Sequence, residues 1–234
     1  MAALILPLIS NKNVAVYDST VGVIRRLLQS DVAKAGDPQR ASEILVLVVK
    51  REHLPSHLLP GPFAVGKSIL QSDEQLLAYQ FESVPNYEHT LVWVNPTTPD
   101  LREEQRFDRY PHSVVPGPGG TSLHFVTFPP GSVFADPSFD GEAARTEALI
   151  RLRGLADHFE KDDPAMHKTN TVDYSVVYDG EIWLELDDGE ILHLKRGDVV
   201  VQNGTRHAWR NKGTRPVTML FFLNGARSDE TSQA

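Results

Sequence analysis

Cysteine is absent from the 234 residues. That excludes a disulfide framework, thiolate zinc sites and cysteine nucleophiles together, and it fits a reducing compartment best. No run approaches the roughly 20 consecutive apolar residues that a membrane-spanning helix needs. The apolar start, Met1 to Ile9, lacks a basic leader and a convincing small-residue cleavage site. It reads as a buried strand or arm, and the cytoplasm is the expected address. Clusters of Lys and Arg are missing too. With 23 basic against 31 acidic residues the formal charge is -8, so the chain repels a phosphate backbone on average. Neither nucleic acid nor a membrane is an expected partner. What remains is an ordinary globular mix, 41% hydrophobic and 23% charged, with room for one large domain or two small ones.

The first part of the chain mixes helical and strand signals. Ser19 or Thr20 caps an expected helix carrying Val23, Ile24, Leu27, Leu28 and Val32, with Gly36 as its stop. Ile44 to Val49 is a short apolar, β-branched run and reads as a buried strand. His89 to Val94 reads as another. Five prolines and three glycines punctuate residues 95 to 120, which predicts a long surface connection. Thr121 to Phe128 is strand-like, and Glu142 to Phe159 is helix-like with Asp140 as cap.

From residue 167 the pattern changes. Short strands follow at Thr171–Tyr178, Glu181–Leu186, Ile191–Leu194, Asp198–Val201, His207–Arg210 and Val217–Leu223. Tight Gly-containing turns separate them, so this region is expected to form an antiparallel sandwich or barrel. Parity then places chemistry. His167, Thr169, Thr171 and Asp173 point to one side of an extended strand, and His207, Trp209 and Asn211 share a side in the same way. If both strands face the interior, two imidazoles, one carboxylate and several hydroxyls converge in an apolar-walled cavity. That donor set suits a 2-His-1-carboxylate centre for Fe(II) and is workable for zinc. The same residues also suit metal-free acid–base chemistry, with a histidine taking the proton and Asp173 orienting it. A structural role, with each group simply hydrogen-bonded in place, stands beside these readings.

The phrase His167-x-Thr169-x-Thr171-x-Asp173 followed by Gly180, with Gly197 to His207 and then Asn211, resembles the two motifs of the cupin family. Those motifs are G-x5-H-x-H-x3,4-E-x6-G and G-x5-P-x-G-x2-H-x3-N. The resemblance covers about a quarter of the chain, and the G-x2-H-x3-N part matches throughout. Thr169 stands where the family has its second His, and Asp173 stands where it has Glu. The proline of the second motif is replaced by Gln202-Asn203, a change expected to affect a turn more than chemistry.

The resemblance implies an all-β cupin barrel (double-stranded β-helix or jelly roll) over residues 86–225. Before it lies a mixed α/β extension at 1–85, read as a dimer arm or a degenerate second cupin, and after it a mobile tail at 226–234. It implies His167, Asp173 and His207 as catalytic residues, and as ligands where a metal is bound. One divalent transition metal (Fe, Zn, Mn or Ni) is then the cofactor; otherwise there is none. Thr169, Thr171, Trp209 and His124 are the expected substrate-pocket residues, although a core or exposed role competes for His124.

His193 is expected to face inward without a partner. His53, His57, His112 and His158 read as surface groups, Trp183 as packing, and Arg206 and Arg210 as facing solvent or a partner. The expected function is a lyase, a dehydratase or decarboxylase acting on a small oxygenated, aromatic or β-keto metabolite. A Fe(II) dioxygenase and a non-catalytic small-ligand module are the alternatives, and a homodimer is the expected assembly.

Overall fold

The computed structural model describes residues 43–51, 68–95, 98–99 and 113–228. The chain divides into two compact units, Met1–Arg25 with Leu45–Glu74 and Arg26–Ile44 with Gln75–Ala234. Strands β1 (Glu43–Arg51) and β2 (Ser68–Leu77) pair in a two-stranded sheet and fall mostly in the first. The predicted helix ending at Gly36, together with His53, His57 and His112, lies outside the described residues.

The second unit is built from two antiparallel sheets. Its strands are β3 (Tyr79–Gln80), β4 (Glu88–Asn95), β5 (Thr121–Phe128), β6 (Thr171–Asp179) and β7 (Glu181–Glu185). They continue as β8 (Ile191–Lys195), β9 (Val199–Asn203), β10 (Ala208–Arg210) and β11 (Val217–Gly225). One sheet has the order β3-β4-β5-β11-β6-β9 and the other β10-β7-β8. From β6 onward the chain crosses repeatedly between the sheets: β6 pairs with β9 and β11, while β7 pairs with β8 and β10. This nested antiparallel pairing is the double-stranded β-helix, or jelly roll. The fold expected from the sequence is the fold present.

Alternation along the strands supplies the core. Ile182 and Leu184 of β7 turn inward while Glu181, Trp183 and Glu185 are at least partly exposed. They pack with Val177, Trp209, Val217 and Met219 in one apolar cluster. Full burial of each large side chain contributes about 1.5–3 kcal/mol. A second cluster, Phe81, Val84, Val114, Leu152 and Ala156, lies under helix α1 (Gly141–Arg151).

Helix α1 starts as predicted, with the Asp140 carboxylate accepting the Glu142 and Ala143 amides at 3.0 Å each. It ends eight residues before the predicted Phe159. Gly154 has φ +77°, and a Cβ there would meet the Ser113 Oγ at 1.9 Å, so the helical path stops and a 3-10 turn, Ala156–His158, follows. Glu147 pins the helix down by accepting from the Tyr79 hydroxyl at 2.7 Å and the Ser83 amide at 2.8 Å. The described end of the predicted surface connection is not all surface. Val114 is buried, and its carbonyl accepts the Ser122 hydroxyl at 2.8 Å. Among the described residues no helix is long and apolar enough to cross a membrane.

Candidate functional site

The second unit holds an open-mouthed cavity of about 1220 Å³. Phe81, Tyr87, Phe128, Phe159, Trp209 and Phe221 supply much of its wall; His89, His124, Asp173, Gln202, His167 and His207 are among its polar groups, and charged Glu142, Arg145, Lys161 and Lys212 line it too.

His167 and His207 belong to no named strand, yet they form an isolated antiparallel bridge. Each backbone amide donates to the other's carbonyl at 2.9 Å, which sets the two side chains directly opposite one another. Their ring centroids are 4.4 Å apart. Each ring is then fixed by its own backbone. Nδ1 of His167 lies 3.1 Å from the Ala165 carbonyl, and Nδ1 of His207 lies 2.9 Å from the Thr205 carbonyl. A carbonyl only accepts, so both rings carry their hydrogen on Nδ1 and keep a lone pair on Nε2. Burial holds the His167 imidazole down at about 4, with the neighbouring His207 adding to the shift. Burial lowers His207 as well, against an opposing hydrogen bond to the Thr205 carbonyl. Both are therefore neutral bases near pH 7.

The loop before His167 is clamped from outside. Arg206 donates to Glu160 at 2.6 and 2.7 Å and to Asp187 at 2.8 Å. Arg210 donates to Asp163 and, at 2.9 Å, to Glu185. One short stretch thus carries His207 into the cavity and two guanidinium groups that brace the wall, Arg206 with its side chain 38% exposed to solvent as expected and Arg210 at the cavity lining.

Asp173 lines the same cavity, and burial pushes its carboxyl up to about 6 while a hydrogen bond from Thr171 pulls the other way. Its Oδ1 is buried with no partner. Thr169, which replaces a family histidine, lines the cavity and lies 2.8 Å from the Thr171 hydroxyl. Thr171 itself is 1% exposed and does not reach the cavity wall, so it is a positioning group and not the pocket residue expected. Trp209 does both jobs, packing in the core and lining the cavity edge-on to His207 at 5.8 Å. Asn211 closes a turn, donating to the Phe128 and Arg215 carbonyls at 3.1 and 2.8 Å.

His124 lies in the cavity wall with His89, which sequence reasoning assigned only to a strand. Gln202 was also missed as a site residue. In β9 it is the register partner of Asp173, it lines the cavity, and its amide nitrogen and oxygen are buried without partners. The alternation of β9 carried that signal, since Val200 and Gln202 share a side. His193 does not face inward: it is exposed, bonded to Glu181 at 2.9 Å and stacked on Trp183 at 4.4 Å. His158 is at the surface as expected.

Two of the donors a metal centre needs, the Nε2 atoms of His167 and His207, are present and free. Among the described residues, however, no group of three His, Asp or Glu side chains is gathered closely enough to hold a metal ion. The side chains as placed do not complete a three-ligand centre.

No family model matches the chain. Over 58 residues it is 64% identical to phomopsin biosynthesis cluster protein C′ of Diaporthe leptostromiformis, a match covering 25% of this chain and 31% of that protein. Over 61 residues it is 41% identical to the cupin-domain-containing oxidoreductase virC of Hypocrea virens, with the same shares of 25% and 31%. The chain thus spans about a third of the length of these curated relatives. The second of these relatives supports the cupin resemblance. Among solved structures it is similar to KdgF from Halomonas sp., at 15% identity over 66% of this chain and 89% of that one, with a TM-score of 0.34.

Proposed function

We propose that the chain is a small-molecule cupin enzyme of the lyase kind, removing water or CO2 from a small oxygenated metabolite, aromatic or β-keto, within this cavity. The observation that carries the reading is the pair of neutral imidazoles, each with Nδ1 tied to a carbonyl and Nε2 free. In a dehydration, Nε2 of one histidine takes a proton from carbon, and the C–O bond breaks as its electrons leave with the hydroxyl. Asp173, with a carboxyl near 6 and an unpartnered oxygen, delivers the proton that turns the leaving group into water. In a decarboxylation the C–C bond breaks, CO2 leaves, and the same acid protonates the carbanion. The apolar part of the wall lowers the local polarity and strengthens the polar contacts made against it.

A second reading is a metal-dependent oxidoreductase, favoured by the name of the cupin-domain relative. It requires a divalent metal held by His167 and His207, with Asp173 closing on them as third ligand. One experiment separates the two. A panel of β-keto acids and β-hydroxy aromatic ketones is incubated anaerobically in D2O without added metal, and mass spectrometry reads product mass and deuterium content. The lyase reading expects loss of 18 or 44 mass units, or solvent deuterium at carbon, abolished in His207→Ala. Turnover that demands oxygen and added Fe(II) supports the oxidoreductase instead. As for assembly, we propose a homodimer, supported by exposed Tyr174, Val199 and Val201 beside and along the edge strand β9; light scattering tests it.

A further inference from the structure

The second histidine pair in the cavity has a hydrogen-bond direction that the geometry determines. Ser122 Oγ donates its only hydrogen to the Val114 carbonyl at 2.8 Å. His124 Nε2 lies 3.1 Å from that carbonyl and 2.7 Å from Ser122 Oγ. Neither oxygen has a hydrogen to give it, so Nε2 of His124 is the donor and its Nδ1 carries the lone pair. His89 Nε2 stands 3.0 Å from that Nδ1 and must therefore donate to it. The chain of donors runs from His89 through His124 to a buried carbonyl. It leaves His89 with a lone pair on Nδ1, for which the described residues offer no hydrogen-bond partner.

Both rings line the cavity, and the aromatic side chains Phe81, Tyr87 and Phe128 line it with them. Cross-strand register puts Leu91, His124, Phe221 and Ser175 in one row over β4, β5, β11 and β6. His124 thus sits two strand spacings, about 10 Å, from β6, which carries Asp173. Phe221 and Leu223 of β11, the strand between β5 and β6, also line the cavity.

We propose that the His89–His124 pair is a recognition site for a neutral phenolic or enolic hydroxyl, whose O–H donates to His89 Nδ1 while its ring rests on the aromatic wall. A fixed acceptor in an apolar wall selects a donor that brings no charge. A carboxylate brings a negative charge and no hydrogen, so its oxygen faces a lone pair. A methyl ether of the same shape has no hydrogen either. This recognition does not depend on the chemistry proposed at His167 and His207. The role of His124 is positioning: it holds the His89 tautomer and does not touch the ligand.

The test uses the full-length chain labelled with ¹⁵N-histidine at pH 7, titrated separately with 4-methylphenol, 4-methylanisole and 4-methylbenzoate. Long-range ¹H–¹⁵N spectra are expected to show His89 and His124 both protonated on Nε2. Saturable addition of 4-methylphenol should shift His89 Nδ1, and the phenol should bind about tenfold more tightly than the ether and the benzoate. His89→Leu should erase that preference while leaving the His167 and His207 signals in place. If His89→Leu does not fold, the comparison of the three probes on the parent chain decides. Equal affinity for phenol and ether, no saturable phenol binding, or a His89 protonated on Nδ1 each overturns the proposal.

Discussion

His167 and His207, 40 residues apart in sequence, exchange both backbone hydrogen bonds at 2.9 Å, and each ring donates from Nδ1 to the carbonyl two residues before it. The two motif histidines are thus held by matching local devices, with Nε2 left over in each. A transition metal held between these two histidines would use those atoms. Elemental analysis of protein purified without chelators should show the metal lost in the double change His167→Ala, His207→Ala. Stoichiometric metal retained in that variant contradicts the assignment.

Acid should unfold the protein steeply. Burial holds His89 and His167 near 4 and lowers His124 and His207 too. Between pH 6.5 and 4 the unfolded chain therefore binds protons that the folded chain refuses, so stability falls as pH falls. Asp173 works the other way, because its carboxyl is raised from 3.8 to about 6 and takes a proton first in the folded state. The lowered histidines outweigh the one raised aspartate, so the unfolded chain takes up more protons across this window and stability falls with pH. Urea midpoints at pH 7, 6 and 5 check this, and a flat series contradicts it.

Asp173→Asn should stabilise the fold and silence the chemistry. Above pH 6 the buried carboxylate carries a desolvation cost that the amide avoids. Denaturant unfolding at pH 8 is expected to show a gain of about 1–3 kcal/mol, fading as pH falls through 6 and gone below the unfolded value of 3.8. Activity found with any substrate should fall at least about a hundredfold.

Arg210→Ala removes the cation that holds Asp163 and Glu185. The Glu160 and Met166 amides, bonded at 2.9 Å to the Met166 and Asp163 carbonyls, should then exchange with deuterium faster. The core of β7 should keep its protection. Uniform loosening contradicts a local clamp.

Much of this fold was legible because strand alternation and glycine turns act locally. Gly204, at φ +60°, closes the turn that delivers His207, and the strand bounds around it shift by only a residue or two. His167 and His207 were legible by parity. What was hidden depended on partners distant in sequence. His89 becomes a site residue only because β4 pairs with β5, and His124 acquires its tautomer from Val114 in a stretch that reads as an exposed connection. Gln202 occupies a position that motif comparison treats as a turn, while its orientation follows from pairing with β6. The end of α1 was misjudged because apolar residues continue past Gly154 as a 3-10 turn and so mimic helical spacing.

The most direct measurement is the tautomer and charge state of His167 and His207 at pH 7, read from long-range ¹H–¹⁵N spectra of the full chain. Two neutral rings protonated on Nδ1, with bare Nε2 atoms that lose their signals in the single variants His167→Ala and His207→Ala, are the predicted result. Imidazolium signals, or hydrogens on Nε2, would show that neither ring offers a base to the cavity.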